Sequence, residues 1–188
     1  MKPIKKFLLY VLIACIMLAI IGFAFNRPIL KMIFPVKHEE QINCECEKFG
    51  LEPSLIYGII RVESGFDKNA QSHAQAIGLM QIMPETFAWL RDNNDTLPNV
   101  DIEQLYDPDI NIEYGCFYIN MLLNKFKNEE TAIAAYNAGP GNVEAWLKNS
   151  EYSKDGITLY KIPIGETEKY IKRVSASKEV YKYLYFTN

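Results

Sequence analysis

Leu55-Ile56-Tyr57-Gly58-Ile59-Ile60-Arg61-Val62-Glu63-Ser64-Gly65-Phe66 runs into a polar or small segment, Asp67 to Ala76, and then into Ile77-Gly78-Leu79-Met80-Gln81-Ile82-Met83-Pro84. Leu55, Ile56, Ile59, Ile60 and Val62 make the first part apolar on nearly every side when wound as a helix. Such a helix belongs in a core. Pro53 near its first position sets the start, and Gly58 lets a neighbour approach closely. Glu63 ends it. The polar segment is flexible, and the short apolar return carries a single Gln. The pattern sets one acid in a cleft and lines the cleft floor.

Glu63 is the first candidate for chemistry. A Glu at a helix end is ordinarily a solvated charge. Here the helix that bears it is buried, so its end lies inside the domain. Burial and the negative end of the helix dipole both raise a carboxyl pKa. A carboxyl kept protonated near neutral pH can act as a general acid. Ordinary glycosidases need a second carboxylate. Asp67 is four residues on, but it reads equally well as a turn residue, and no firm second acid lies near Glu63. One acid suffices where the substrate supplies its own nucleophile.

Outward from this stretch the pattern is helical. Val36 to Phe49 is expected as an amphipathic helix, with Ile42, Cys46 and Phe49 on one face and Gly50 as its stop. Pro84 to Leu90 begins another. Arg91 to Asp107 is polar and is expected as a long surface loop. Asp109 to Phe126 predicts a helix with Ile112, Phe117, Ile119, Met121, Leu122 and Phe126 inward. Glu129 to Tyr136 predicts a short Ala-rich helix, broken at Asn137-Ala138-Gly139-Pro140-Gly141. Asn142 to Leu147 adds a turn or two, Ser150 to Pro163 is irregular, and Glu166 to Tyr185 forms a last helix. Nothing alternates with period two for long. The fold class is mainly α.

Phe7 to Phe25 is 19 residues without a charge. As a helix it would be ~28 Å long, close to a bilayer's hydrocarbon thickness. Lys2, Lys5 and Lys6 precede it, which leaves the N-terminus in the cytoplasm and the rest outside. Residues 1–25 are therefore expected to be a single-pass membrane anchor, 26–35 a short linker and 36–188 one extracytoplasmic domain on the cell-wall side. A cleaved signal peptide is the main rival, although Ala19 and Ala24 are not spaced for cleavage. Leu12-Ile13-Ala14-Cys15 also resembles a lipoprotein cleavage box, a minor option.

After the run, 17 basic residues face 23 acidic ones, a balance of −6. An acidic domain without a basic stripe argues against nucleic acid as partner. No Cys-x-x-Cys occurs, and His38 and His73 are the only histidines, so neither a metal centre nor a Ser-His-Asp set is expected. No cofactor is implied. Of Cys44, Cys46 and Cys116, either of the first two could bridge to Cys116, or all could be free thiols.

Two further stretches are unremarkable alone. Tyr136-Asn137-Ala138-Gly139 reads as a helix end, and Glu166-Thr167-x-x-Tyr170 as a helix start. Taken in order with Glu63-Ser64, Ser72 and Gly78-Leu79-Met80-Gln81-Ile82-Met83-Pro84, they resemble the catalytic domain of soluble lytic transglycosylases, relatives of goose-type lysozyme. The resemblance covers roughly Phe34 to Tyr185. It implies a lysozyme-like helical fold and cleavage of the β-1,4 bond between N-acetylmuramic acid and N-acetylglucosamine in peptidoglycan. Glu63 falls on the family's single acid, which protonates the glycosidic oxygen. It then takes the proton of the muramyl 6-hydroxyl as that oxygen closes onto the anomeric carbon, giving a 1,6-anhydro product. Ser72 falls on a serine that hydrogen-bonds near the acid. Gln81 and Met83 match cleft-lining positions, and Tyr136 and Asn137 match a pair that orients acid and sugar. Glu166 matches a carboxylate near the cleft, and Tyr170 an aromatic of the same motif. Lys68 stands where many members have Pro, and Gln75 where they have Gly, so the loop around them is expected to differ.

Hydrolysis by the same acid, as in a muramidase, is one alternative. A wall-binding or assembly protein without turnover is another. Wall remodelling, cell separation, sporulation or a secretion machine are all compatible settings.

Overall fold

The computed structural model describes residues 7, 8, 10–13, 17 and 27–187. The chain divides into two compact units, Met1–Val36 and Lys37–Asn188. Residues 27–33 of the first are helical. Among the described residues no helix is long and apolar enough to cross a membrane. The span expected from Phe7 to Phe25 lies mostly outside the described residues.

The second unit is built of helices: α1 (Glu39–Phe49), α2 (Pro53–Glu63), α3 (Pro84–Asp92), α4 (Pro108–Phe126), α5 (Glu129–Ala138), α6 (Pro140–Leu147) and α7 (Gly165–Tyr181). A short 3-10 helix, Ile102–Tyr106, precedes α4, and Lys182–Phe186 continues α7 as a π-helical turn. The only extended pairing among the described residues is a pair of isolated bridges, Gln71 with Ile77 and Ile77 with Ile82.

Helix α2 is the axis of this unit. Ser54 through Ile60 are all buried, as a helix apolar on most sides requires. Its main partner is α7. The two backbones come so close at Gly58 that a Cβ there would lie 3.1 Å from both the amide of Lys178 and the carbonyl of Val174. Tyr57 stacks on Tyr181 of α7 at 5.0 Å. Lys178 fastens the outer end of this pair. Its buried amine holds both carboxylate oxygens of Glu129 at 2.8 and 2.7 Å and lies 3.0 Å from Glu52, so it ties the starts of α2 and α5 to α7.

Several boundaries differ from the sequence-based expectation. Helix α1 begins at Glu39, because His38 takes a left-handed backbone (φ 56°). The polar stretch expected as a surface loop is partly ordered. Helix α3 runs to Asp92, and Asp101 and Gln104 form a reciprocal capping box that starts the 3-10 turn and buries Leu105 completely. On α4, Phe117 and Met121 are half exposed, while Asn111, Tyr114, Cys116 and Tyr118 face inward. Helix α5 extends through Asn137 and Ala138 and ends at Gly139 (φ 84°). Cys44, Cys46 and Cys116 are free, the last two buried.

Candidate active site

Glu63 is the last residue of α2. The chain then reverses through Ser64, Gly65 (φ 60°) and Phe66 (φ 69°). A left-handed Phe is unfavourable, and here burial of its ring beside Tyr57 offsets the cost. Ser64 locks the reversal. Its hydroxyl donates to the Leu79 carbonyl at 2.8 Å and accepts from the Phe66 amide at 3.1 Å. The end of the acid-bearing helix is thereby fastened to the returning loop.

The Glu63 carboxyl is half-buried, and burial pushes its pKa up to about 7. Tyr170, from the first half of α7, donates its hydroxyl to Oε1 at 2.6 Å. That bond and the positive charge of Arg173 both favour the carboxylate, but less than burial opposes it. The Arg173 guanidinium reaches the Val62 carbonyl at 3.4 Å, at the orphan end of α2. The group is thus held in one place with its proton loosely balanced near neutrality. That is the condition for an acid that must both give and recover a proton.

The returning loop is held from behind by Asn111, a fully buried side chain on α4. Its Oδ1 accepts from the Met80 amide at 2.7 Å, and its Nδ2 donates to the carbonyls of Ile77 and Leu105 at 2.9 and 2.8 Å. Gly78 (φ 79°) crosses directly over it, and a Cβ there would lie 2.2 Å from Asn111 Nδ2. Tyr136 on α5 donates to the Met80 carbonyl at 2.8 Å. Burial and the nearby Glu63 charge keep its phenol protonated. Loop residues 77–82 are therefore gripped by α2 through Ser64, by α4 through Asn111 and by α5 through Tyr136.

The residues expected at the site fall into two groups. Tyr170 bonds Glu63 directly, and Tyr136 lies within electrostatic reach of it. Asn137 accepts from the buried Thr167 hydroxyl at 2.8 Å, which brings the ends of α5 and α7 together. Gln81 (φ 50°) turns its amide back onto the carbonyls of Ala70 and Gly78 at 3.1 and 2.9 Å, bracing the loop. Met83 is half-buried at the start of α3. Ser72 accepts from the Ala76 amide at 3.0 Å, and among the described residues it makes no bond to Glu63. Glu166 is exposed in the first turn of α7. Asp67 caps its own turn through the Asn69 amide at 2.9 Å. Among the described residues no group of three or more His, Cys, Asp or Glu could hold a metal ion.

Gln75 has φ 67°, the backbone state expected of the Gly that often stands there, and its Oε1 accepts from Gln71 Nε2 at 2.8 Å. The loop keeps its turn despite the side chain. Ser64, Asn111 and Thr167 carry site-building bonds that the sequence reading gave no role. Asn111 has no local signal, because one polar residue in a helical pattern reads as its solvent side.

A mainly helical domain whose central helix ends in one partly buried acid, gripped by a tyrosine from the last helix, has lysozyme-like architecture. The chain belongs to the transglycosylase SLT domain family, whose model matches residues 40–158. It is 35% identical over 164 residues to membrane-bound lytic murein transglycosylase C of Actinobacillus pleuropneumoniae, covering 73% of this chain and 44% of that protein. It is also 35% identical over 153 residues to the soluble lytic murein transglycosylase of Escherichia coli, covering 80% of this chain and 24% of that one. The crystal structure of the 70 kDa soluble lytic transglycosylase from Escherichia coli superposes with a TM-score of 0.73 at 32% identity, over 82% of this chain and 25% of the other. An inactive mutant of lytic transglycosylase Slt from Pseudomonas aeruginosa gives 0.70 at 34%, with the same coverage. The chain spans less than half the length of these relatives.

Proposed function

We propose that the chain is a peptidoglycan lytic transglycosylase. It would cut the β-1,4 bond between N-acetylmuramic acid and N-acetylglucosamine, with Glu63 as acid and then base. The observation that carries this reading is the Glu63 carboxyl, bonded by Tyr170 and balanced near pH 7 by burial. In the first step the Glu63 proton passes to the glycosidic oxygen as the bond from the anomeric carbon breaks. The resulting carboxylate takes the proton of the muramyl 6-hydroxyl, whose oxygen bonds to that carbon. The acid is restored and no water is consumed. Asp67, occupied with its own turn, supports a one-carboxylate scheme.

Tyr170 would orient the carboxyl in both steps. Tyr136, through Met80, would fix the loop bearing Gln81 and Met83 along the glycan. Asn137 and Glu166 lie at the ends of α5 and α7 where a sugar could be contacted, and Ser72 would act through its loop. The apolar run behind three lysines supports a retained anchor, with this domain working on the cell-wall side of the membrane. Turbidity of a suspension of purified peptidoglycan sacculi tests the reading. The full chain should clear it and Glu63→Gln should not, while the variant keeps its circular dichroism spectrum. Equal clearing by both would end the assignment of Glu63.

A further inference from the structure

Two cysteines of the second unit meet where α1 packs against α4. Lys48 of α1 donates to Glu113 of α4 at 2.6 Å, and the rings of Phe49 and Phe117 meet edge-on at 5.8 Å. These contacts set the register of the two helices. In that register the sulfurs of Cys46 and Cys116 come close enough to share a hydrogen bond. Both side chains are buried, whereas Cys44 is exposed. Neither buried thiol takes part in the bonding around Glu63.

A buried thiol often serves only as a small apolar side chain. A pair in contact, on helices far apart in sequence, is a different case in a domain that the sequence places outside the cytoplasm, where thiols are not kept reduced. Among the described residues no set of His, Cys, Asp or Glu around the pair could hold a metal ion. Burial and the contact with Cys46 push the Cys116 thiol up, so it is unreactive once the helices have docked. Any sulfur exchange must precede that docking.

We infer that Cys46 and Cys116 are a disulfide site, and that oxidation there staples α1 to α4. As the chain folds, one of the two thiolates attacks an external disulfide of the glutathione class, forms a mixed disulfide and releases one thiol. The other thiolate then displaces the second thiol. The chain loses two hydrogens, and the external disulfide becomes two thiols. The bond encloses residues 47–115 and so restricts the unfolded chain. It also fixes α4, whose Asn111 holds the loop facing Glu63. The inference draws on the extracytoplasmic reading for its oxidising surroundings and is independent of whether the chain cleaves glycan.

The full chain carrying Cys15→Ser and Cys44→Ser retains only this pair of cysteines. It is unfolded in urea and refolded in detergent, with oxidised glutathione or with dithiothreitol. A non-reducing protease digest of the first sample should contain one peptide pair joined through Cys46 and Cys116, lighter by two hydrogens than the separate peptides. The oxidised chain should melt on the order of 10 °C above the reduced one. With Cys116→Ala added, the two preparations should melt together. The chain with all its cysteines should form the same link under oxidised glutathione. Free Cys46 and Cys116 after oxidative refolding, or a link from Cys44 to Cys116 in the unmutated chain, overturns the site. A bond that forms without raising the melting temperature overturns the staple.

Discussion

Tyr170 donates a 2.6 Å hydrogen bond to Glu63 across 107 residues of sequence. The bond joins the end of the central helix to the first half of the last one. It stabilises the charged form of the carboxyl, against burial, which stabilises the neutral form. Its removal should therefore raise the Glu63 pKa further. In Tyr170→Phe the alkaline limb of the pH–rate profile should move to higher pH. At the optimum kcat should fall roughly ten-fold, because the carboxyl loses its orientation. A pH profile unchanged in shape would make Tyr170 a packing residue only.

The same carboxyl makes the stability of the domain depend on pH. Folded Glu63 titrates at about 7 rather than the ordinary 4.5. Between those values the unfolded chain has released the proton and the folded chain has kept it, so rising pH favours unfolding. The full difference corresponds to at most ~3 kcal/mol above pH 7. Glu63→Gln has no proton to lose and can still accept from Tyr170. Thermal melts of both chains should coincide near pH 4 and separate by pH 8, with the variant the more stable. A variant less stable than the original at pH 8 would contradict the burial assigned to this group.

Asn111 is expected to matter as much to the loop as Glu63 does to the chemistry. In Asn111→Leu the Met80 amide and the carbonyls of Ile77 and Leu105 lose their buried partner. Stability should fall by roughly 3 kcal/mol or more in urea titrations. Activity should fall with it, since Tyr136 grips the same Met80 residue.

Gln75 tests one of the two places, with Lys68, where the loop departs from the family pattern it resembles. Its φ of 67° is costly for any residue with a Cβ. Gln75→Gly relieves that strain but gives up the exposed bond to Gln71. A gain of about 0.5–1 kcal/mol in the urea midpoint is expected. A loss would mean that the Gln71–Gln75 contact outweighs the backbone.

The central helix and its acid were legible because they rest on local signals: Pro53 at the start, apolar residues on every side, and a carboxylate at the end. Gln75 was legible as a departure from a family pattern, but the change in the loop expected there did not follow, since its φ of 67° keeps the turn. What escaped depends on contacts distant in sequence. Asn111 looks like a surface residue until Met80 is folded onto it. Phe117 and Met121 were expected inside, but the inward face of α4 is rotated toward Asn111, Tyr114 and Tyr118. The buried 3-10 turn at Leu105 did carry a signal, the Asp101-x-x-Gln104 capping box. It was hidden in a stretch whose polarity suggested a loop. Ser72 and Glu166 rested on resemblance alone, and among the described residues neither is bonded to Glu63.

The most direct test of the one-carboxylate account is the chemistry of the new glycan ends. Purified peptidoglycan digested with the full chain should yield muramyl ends that are 1,6-anhydro, lighter by one water in mass spectrometry than reducing ends. Reducing muramyl ends in their place would show that water, not the 6-hydroxyl, attacks, and would contradict the account.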